Sequence, residues 1–203
     1  MLASISPLGE RGRNHSWWAT FAWYAAGALA GGTTVGVAAG GLGALLRAAL
    51  GLSDAVAAAV ALFVGTVAIV FELRPRHWRL PTVVRQVDED WIGRYRVWLY
   101  AGGFGYQLGL GVVTIVMTAA VYLTWLLAAL TGSVVAGAVV GASFGAARAL
   151  PLLLVADADT PDVLRRRVAG FHRAEPAARR AAFVAVVAVP LVAALALIAG
   201  GWS

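Results

Sequence analysis

Apolar and polar residues are arranged along this chain in long blocks. The apolar stretches cover roughly residues 16–49, 55–73, 97–130, 134–155 and 180–200. A helix needs about 20 residues to cross the hydrocarbon core of a bilayer. Three of the stretches have about this length and the other two exceed it. The pattern therefore predicts an all-α fold: a polytopic integral membrane bundle of about five transmembrane helices.

The first and third apolar stretches are too long for one straight crossing. As continuous helices they would be roughly 50 Å long, at about 1.5 Å per residue. Both contain glycine clusters, GALAGGTTVGVAAGGLG at 27–43 and GGFGYQLGLG at 102–111. Glycine weakens a helix and also lets helices approach closely. Two interpretations follow: the glycines pack helices together, or they break a helix and expose backbone groups to a substrate, as in some transporters.

Composition supports a membrane protein and excludes several other classes. Only 13% of the residues are charged and 61% are hydrophobic, whereas soluble domains carry roughly 25% charged residues. The chain has no cysteine, which excludes a disulfide-stapled fold, thiol redox chemistry and cysteine-ligated metals. The arginines cluster between apolar stretches, so the basic charge predicts membrane topology, and we expect no nucleic-acid partner.

Arginine placement predicts the topology. Basic residues occur in the N-terminal tail and in the segments 74–96 and 156–180, whereas the connections at 50–54 and 131–133 have none. Because positive loops stay in the cytoplasm, stretches one and two should form a hairpin, as should three and four. We expect a multi-pass protein of the plasma membrane (a bacterial inner membrane), with its N-terminus in the cytoplasm and its C-terminus outside.

The basic segment 156–180 predicts a short amphipathic helix. Leu164, Val168 and Phe171 fall on one helical face, and Thr160 is a candidate N-cap. Such a helix would lie on the inner leaflet, where its arginines would meet anionic lipid headgroups. The alternative is a solvated loop. Besides the lipid bilayer, a homo-oligomer or a larger membrane complex is a possible partner.

A long stretch, a short stretch and a basic segment follow one another twice, which suggests an internal repeat of helical hairpins. PTVVR at 81–85 resembles PDVLR at 161–165, and such repeats occur in membrane transporters. The predicted map is a single transmembrane domain, 1–203, with possible repeats at 12–92 and 93–175 followed by a fifth helix at 180–200.

Polar residues in the third stretch, together with one glycine of its cluster, are the candidate substrate-lining residues. They are Gly103, Tyr106, Gln107, Thr114 and Thr118. If the stretch is one helix, Gln107, Thr114 and Thr118 share a face. Polar groups in a membrane favour the bundle interior, where they either hydrogen-bond other helices or line a substrate path.

Glu72 and Arg148 are charged residues inside apolar stretches, where a charge is costly. They coincide when the chain is offset by 76 residues, and each lies three residues before a proline, Pro75 or Pro151. We predict a structural ion pair between them that joins the second and fourth stretches. A role in proton or anion coupling is the alternative.

Signatures of enzymes are missing from the sequence. No histidine pair has metal-binding spacing, no phosphate-binding loop follows a strand, and no serine lies in an esterase-type turn. We therefore expect no catalytic residue, no cofactor and no metal. A membrane-embedded enzyme stays an open alternative, because such active sites can lack short motifs.

The long stretches with glycine-rich breaks resemble transporters of the lysine-exporter and thiol-electron-carrier superfamily. The electron carriers need paired cysteines, which this chain lacks, and the hairpin topology disfavours their inverted repeat. The resemblance therefore does not assign the chain to that superfamily.

Two functions compete at the level of sequence. The first is a small-molecule or ion transporter, or a permease subunit. The second is a non-transporting membrane scaffold or accessory subunit of a larger complex. A polar cavity at the membrane midplane next to Gly103–Gly111 would favour the transporter, whereas a dry, close-packed interface there would favour the scaffold.

Overall fold

The computed structural model describes residues 5–73, 96–111 and 120–200, and these residues form helices and no strands. The helices are α1 (Pro7–Gly12), α2 (Trp17–Leu50), α3 (Asp54–Leu73), α4 (Val97–Leu110), α5 (Ala120–Leu130), α6 (Val134–Ala149), a 3-10 helix (Leu150–Val155) and α7 (Pro161–Gly200). Within the described ranges, α2, α3, α6 with the 3-10 helix, and α7 are long and apolar enough to cross a membrane. The predicted all-α membrane bundle is confirmed.

The two long apolar stretches differ in structure. The first forms one continuous helix, α2, which ends at Gly51 in the left-handed region, with φ 60°. The third is interrupted, because α4 ends at Leu110, where Gly111 has φ 69°. Such φ values suit glycine, which has no Cβ to clash with the backbone. Glycine clusters alone therefore do not break a helix here.

Helix α2 runs parallel to α4 in close contact. A Cβ added at Gly27 would lie within 3.0 Å of the carbonyl oxygen of Gly102, and one at Gly31 would lie equally close to that of Tyr106. In return, a Cβ at Gly105 would meet the carbonyl of Tyr24. The two backbones touch because both helices present glycine at four-residue spacing, the small-xxx-small pattern of membrane helices.

Helix α2 also packs against α6, in the opposite direction. Gly32 faces Gly141, and Gly36 faces Gly137, again so closely that a Cβ on any of them would lie within 3.0 Å of a carbonyl oxygen. On α2, Gly27 and Gly31 face α4, whereas Gly32 and Gly36 face α6. One glycine-rich helix thus forms the centre of the bundle, with a different packing face for each neighbour.

The connections after α2 and α5 lie at the same end of the bundle. Arg47 in the last turn of α2 forms an ion pair with Asp54, with 2.8 Å between Nη1 and Oδ1. Its Nη2 also donates to the carbonyl oxygen of Leu130, at 3.3 Å. Both connections therefore lie at one end of the bundle, although α3 packs mainly on α7 and not on α2. The predicted repeat of hairpins stays a prediction.

The N-terminal segment lies at the opposite end, beside the turn that follows the 3-10 helix. The N–H of Leu8 donates to the carbonyl oxygen of Ala158, at 3.2 Å. In the same turn the Asp157 carboxylate accepts a hydrogen bond from Nε of Arg167, at 3.0 Å. This hydrogen bond lowers the pKa of Asp157 below its ordinary value.

The predicted break between a basic amphipathic segment and a fifth helix at 180–200 is wrong. Residues 161–200 form a single helix, α7, with Pro176 and Pro190 inside it. Proline removes a helical hydrogen bond, but strong helix formers, alanine, glutamate and arginine, surround Pro176. Oγ1 of Thr160 accepts a hydrogen bond from the N–H of Val163, which confirms the predicted N-cap. At about 1.5 Å per residue, α7 is roughly 60 Å long, so it extends well beyond a bilayer.

Candidate functional site

A cavity of about 760 Å³ lies between the central bundle and the first half of α7. Its walls include Tyr24 of α2, Leu108 of α4, Arg148 of α6, and Phe171 and Glu175 of α7. The volume is in the range of small-molecule sites, which are about 300–1,000 Å³. Most of the remaining wall is aliphatic, so a few polar groups set the chemistry of the cavity.

Arg148 is the charged residue that reaches the cavity from the bundle interior. It lies in the last turn of α6, just before the chain changes to a 3-10 helix at Leu150 with Pro151 in its first turn. Its guanidinium carbon is 5.6 Å from the centroid of the Phe144 ring, a cation–π arrangement. It also interacts electrostatically with Tyr24, whose side chain is only 4% exposed. A half-buried cation next to a phenol favours an anionic ligand.

Glu175 contributes the opposite charge at the outer edge. Its Oε1 lies 3.9 Å from Nη1 of Arg179, one turn further along α7, and both side chains are about half exposed. Exposed pairs of this kind contribute little to stability. Because Glu175 is about half exposed, its carboxylate lies at the outer side of the cavity. Arg148 lies on the bundle side.

Phe144 connects the cavity to the interruption of the third stretch. Its ring meets Trp125 of α5 edge to face, with centroids 4.6 Å apart. A Cβ on Gly111 would lie 3.0 Å from the Phe144 ring and 3.2 Å from Nε1 of Trp125. That Nε1 is buried and has no hydrogen-bond partner among the described residues. One aromatic ring thus contacts both the cationic cavity and the end of the broken helix.

The N-terminal segment closes one side of the cavity. Ile5 lines the cavity and is 1% exposed. The Glu10 carboxylate is fully buried and accepts three hydrogen bonds, from Oγ1 of Thr20 at 2.9 Å, from the Tyr100 hydroxyl at 2.9 Å and from Nη2 of Arg13 at 2.5 Å. Because Thr20 and Tyr100 belong to α2 and α4, this one carboxylate fixes the segment to both helices.

Replacing Glu10 by alanine should release the N-terminal segment without unfolding the bundle. The substitution leaves the buried hydroxyls of Thr20 and Tyr100 without their acceptor, and breaking a buried charged pair costs about 3–5 kcal/mol. The absence of native cysteine allows one reporter, Ser6→Cys, at a buried position. We expect thiol labelling to be at least about tenfold faster in the Glu10→Ala background.

Asp159→Ala is the matched control for this experiment. Asp159 is also a carboxylate near the segment, but its pair with Arg11 is exposed and 3.9 Å long. Labelling should stay at the parent rate in this variant. Equal rates in all three backgrounds would show that Glu10 does not hold the segment in place.

The substrate-lining residues predicted from the sequence are only partly placed. They are Gly103, Tyr106, Gln107, Thr114 and Thr118, of which the last two lie outside the described residues. The first three lie on α4, where Tyr106 is 37% exposed and the others are half-buried, and none of these three lines the cavity. The shared face of Gln107, Thr114 and Thr118 stays a prediction, because it depends on residues beyond the end of α4 at Leu110 that the structure does not describe.

Glu72 and Arg148 have different surroundings in the structure. Arg148 lines the large cavity, whereas Glu72 lines a second cavity with Arg179 and Arg180. The predicted pairing of Glu72 with Arg148 stays a prediction. Arg148 and Pro151, which are three residues apart in sequence, both line the large cavity.

Several residues around the cavity were missed by sequence reasoning. Glu10 lies in a short polar tail that resembles a solvated end, and nothing in its spacing marks it as buried. Tyr24 and Tyr100 gave a weak signal, because they coincide at the same offset of 76 residues as Glu72 and Arg148. Both tyrosines are buried in one core cluster. Trp125 had only the general preference of tryptophan for membrane interfaces.

Comparison with known proteins identifies the family. A family model described as the cytochrome c biogenesis protein transmembrane region matches residues 2–189. The matched region contains α1 to α6, the 3-10 helix and most of α7. No curated protein and no solved structure matches the chain. Since the model covers nearly the whole chain, this polytopic membrane protein belongs to the family of cytochrome c biogenesis protein transmembrane regions.

Proposed function

We propose that this chain is a small permease, or permease subunit, whose substrate is a small organic anion. The observation that carries the proposal is the cavity of about 760 Å³ that contains Arg148 and Tyr24. An arginine placed within an apolar bundle is costly, and such residues commonly mark substrate or ion pathways. Its planar guanidinium suits bidentate binding of a carboxylate or phosphate.

The walls of the cavity favour a substrate that has an apolar body. Leu108, Leu152 and Leu154 approach from the bundle, and Phe171 approaches from α7. Aliphatic and aromatic walls with a few polar groups are typical of sites for small organic molecules. An inorganic anion would leave these walls without contacts, so an organic carboxylate or phosphate ester fits better.

Aromatic contacts that lead from Arg148 into the bundle support transport over simple binding. Phe144 contacts the Arg148 guanidinium and approaches Gly111, where α4 ends. Broken helices at substrate sites supply backbone groups for binding, and they are a recurrent feature of transporters. The proposed path runs past Phe144 to Trp125, whose buried N–H provides a second polar group.

The proposed orientation follows from the arginines. The end of the bundle with the N-terminal segment also contains Arg165, Arg166 and Arg167 in the first half of α7. Placing this end in the cytoplasm of a plasma membrane satisfies the positive-inside rule. The cavity then opens on the cytoplasmic side and the connections after α2 and α5 lie outside.

An accessory role in cytochrome c assembly is the second candidate. The family description names that process, and the face of α4 toward α2 is dry and close-packed at Gly105 and Gly109, as expected of a scaffold. Leu108 on the same helix nevertheless lines the large cavity. Because the chain has no cysteine, an accessory role would depend on contacts with partner proteins and not on thiol exchange.

Flux through the purified protein in liposomes tests the proposal. The probes are radiolabelled short-chain mono- and dicarboxylates and phosphate esters, with choline as a cation of similar size. We expect at least one organic anion to enter at about ten times the rate in protein-free liposomes, and choline to stay at the background rate. A folded protein that moves none of the anions would exclude the permease and favour the accessory role.

A further inference from the structure

A second cavity, of about 400 Å³, lies between the C-terminal end of α3 and the middle of α7. It is lined by Glu72 of α3 and by Arg179, Arg180, Phe183 and Val184 of α7. Two arginines that are consecutive in sequence thus line the cavity together with one acidic, one aromatic and one aliphatic residue. This cavity shares no lining residue with the one proposed for transport.

The position of the arginines along α7 corresponds to the edge of the hydrocarbon core. Residues 181–199 contain no charged residue, and at about 1.5 Å per residue they span about 28 Å. The hydrocarbon core of a bilayer is about 30 Å thick. When this apolar part spans the core, Arg179 and Arg180 lie at the level of the lipid phosphates.

Helix α3 gives the same level independently. It has 20 residues and Glu72 is the last but one, so an apolar helix of about 30 Å ends beside the two arginines. Gly65 on α3 packs against Pro190 of α7, so the two helices lie side by side below the cavity. The cavity between α3 and α7 therefore opens toward the surrounding lipid at the depth of the headgroups.

The side chains are ordered along α7 in the way that a phospholipid requires. Phe183 and Val184 follow Arg179 and Arg180 by four residues each, so each apolar residue lies one turn deeper on the same face. Val184 is 66% exposed, which leaves it available to an acyl chain. The pair between Arg179 and Glu175 is exposed and 3.9 Å long, so it holds the guanidinium only weakly.

We propose that this cavity binds one anionic phospholipid, with the phosphate on Arg179 and Arg180 and an acyl chain against Phe183 and Val184. Juxtamembrane arginines attract anionic headgroups, and basic pockets between membrane helices bind them specifically. The site is independent of the proposed transport function. The bound lipid would bridge α7 and α3.

Lipid retention measured by native mass spectrometry tests this site. The full-length protein in a neutral detergent is titrated with phosphatidylglycerol, phosphatidylcholine or inorganic phosphate. We expect one phosphatidylglycerol to be retained about ten times more tightly than phosphatidylcholine. The double variant Arg179→Gln/Arg180→Gln should lose this preference.

Two further variants separate the cavity from general surface charge. Arg165→Gln/Arg166→Gln removes the same charge from an exposed part of α7 and should retain the lipid as the parent does. Val184→Trp keeps both arginines but narrows the cavity, and should weaken retention. Equal loss in both double variants, or displacement of phosphatidylglycerol by an equal concentration of inorganic phosphate, would overturn the proposal.

Discussion

Replacing Gly36 by alanine should destabilise the bundle by roughly 2–3 kcal/mol, although alanine is the better helix former. The added methyl group would lie within 3.0 Å of the carbonyl oxygen of Gly137, part of the backbone of α6. Backbone cannot move aside as a flexible side chain can, so α2 and α6 would have to separate. Separation would also weaken the neighbouring contacts at Gly32 and Gly40.

Gly41→Ala is the matched control, five residues further along the same helix. A Cβ there would meet only a methyl group of Val134 at 3.7 Å, an ordinary contact. Because alanine stabilises a helix by about 1 kcal/mol relative to glycine, this variant should be neutral or slightly more stable. Thermal unfolding in detergent, followed by helical circular dichroism, compares the two. Equal midpoints would mean that the α2–α6 contact is looser than the structure shows.

The sequence predicts a bundle of membrane helices because apolar length alone indicates such a helix. It could not predict how the glycines are used. The glycines of α2 have nearly identical neighbours in sequence, yet Gly31 faces α4 and Gly32 faces α6. Which neighbour each one meets is set by tertiary packing, to which a single sequence gives no access.

The continuity of α7 and the burial of Glu10 escape the sequence for related physical reasons. An arginine-rich segment predicts the end of a membrane helix, but arginine and alanine favour a continuous helix in water as well as in a membrane. Glu10 has no signal in the sequence, because a carboxylate in a short polar segment is rarely buried without partners. Its partners, Thr20 and Tyr100, come from other helices, so no local pattern could reveal them. Arg148 was found because a charge within an apolar stretch is itself a local signal.

Arg148→Gln should abolish most of the anion flux while leaving the protein folded. If the guanidinium binds the anion in the cavity, losing a charged hydrogen-bonding partner costs about 2–5 kcal/mol of binding, a loss of roughly 30-fold or more. Glutamine retains much of the volume and hydrogen-bonding ability of the arginine side chain. The variant loses the cation–π contact with Phe144, which contributes about 0.5–2 kcal/mol, so stability should change less than flux.

Arg148→Lys and Arg166→Gln make the experiment specific. Lysine keeps the charge but loses the planar fork, so it should retain part of the flux with weaker apparent affinity. Arg166 is exposed on α7, and its replacement should leave flux unchanged although the net charge falls equally. If Arg166→Gln lowered flux as much as Arg148→Gln, the effect would come from general electrostatic attraction of anions to a basic surface. A selective loss at position 148, rescued in part by lysine, is the pattern that only a binding role within the cavity produces.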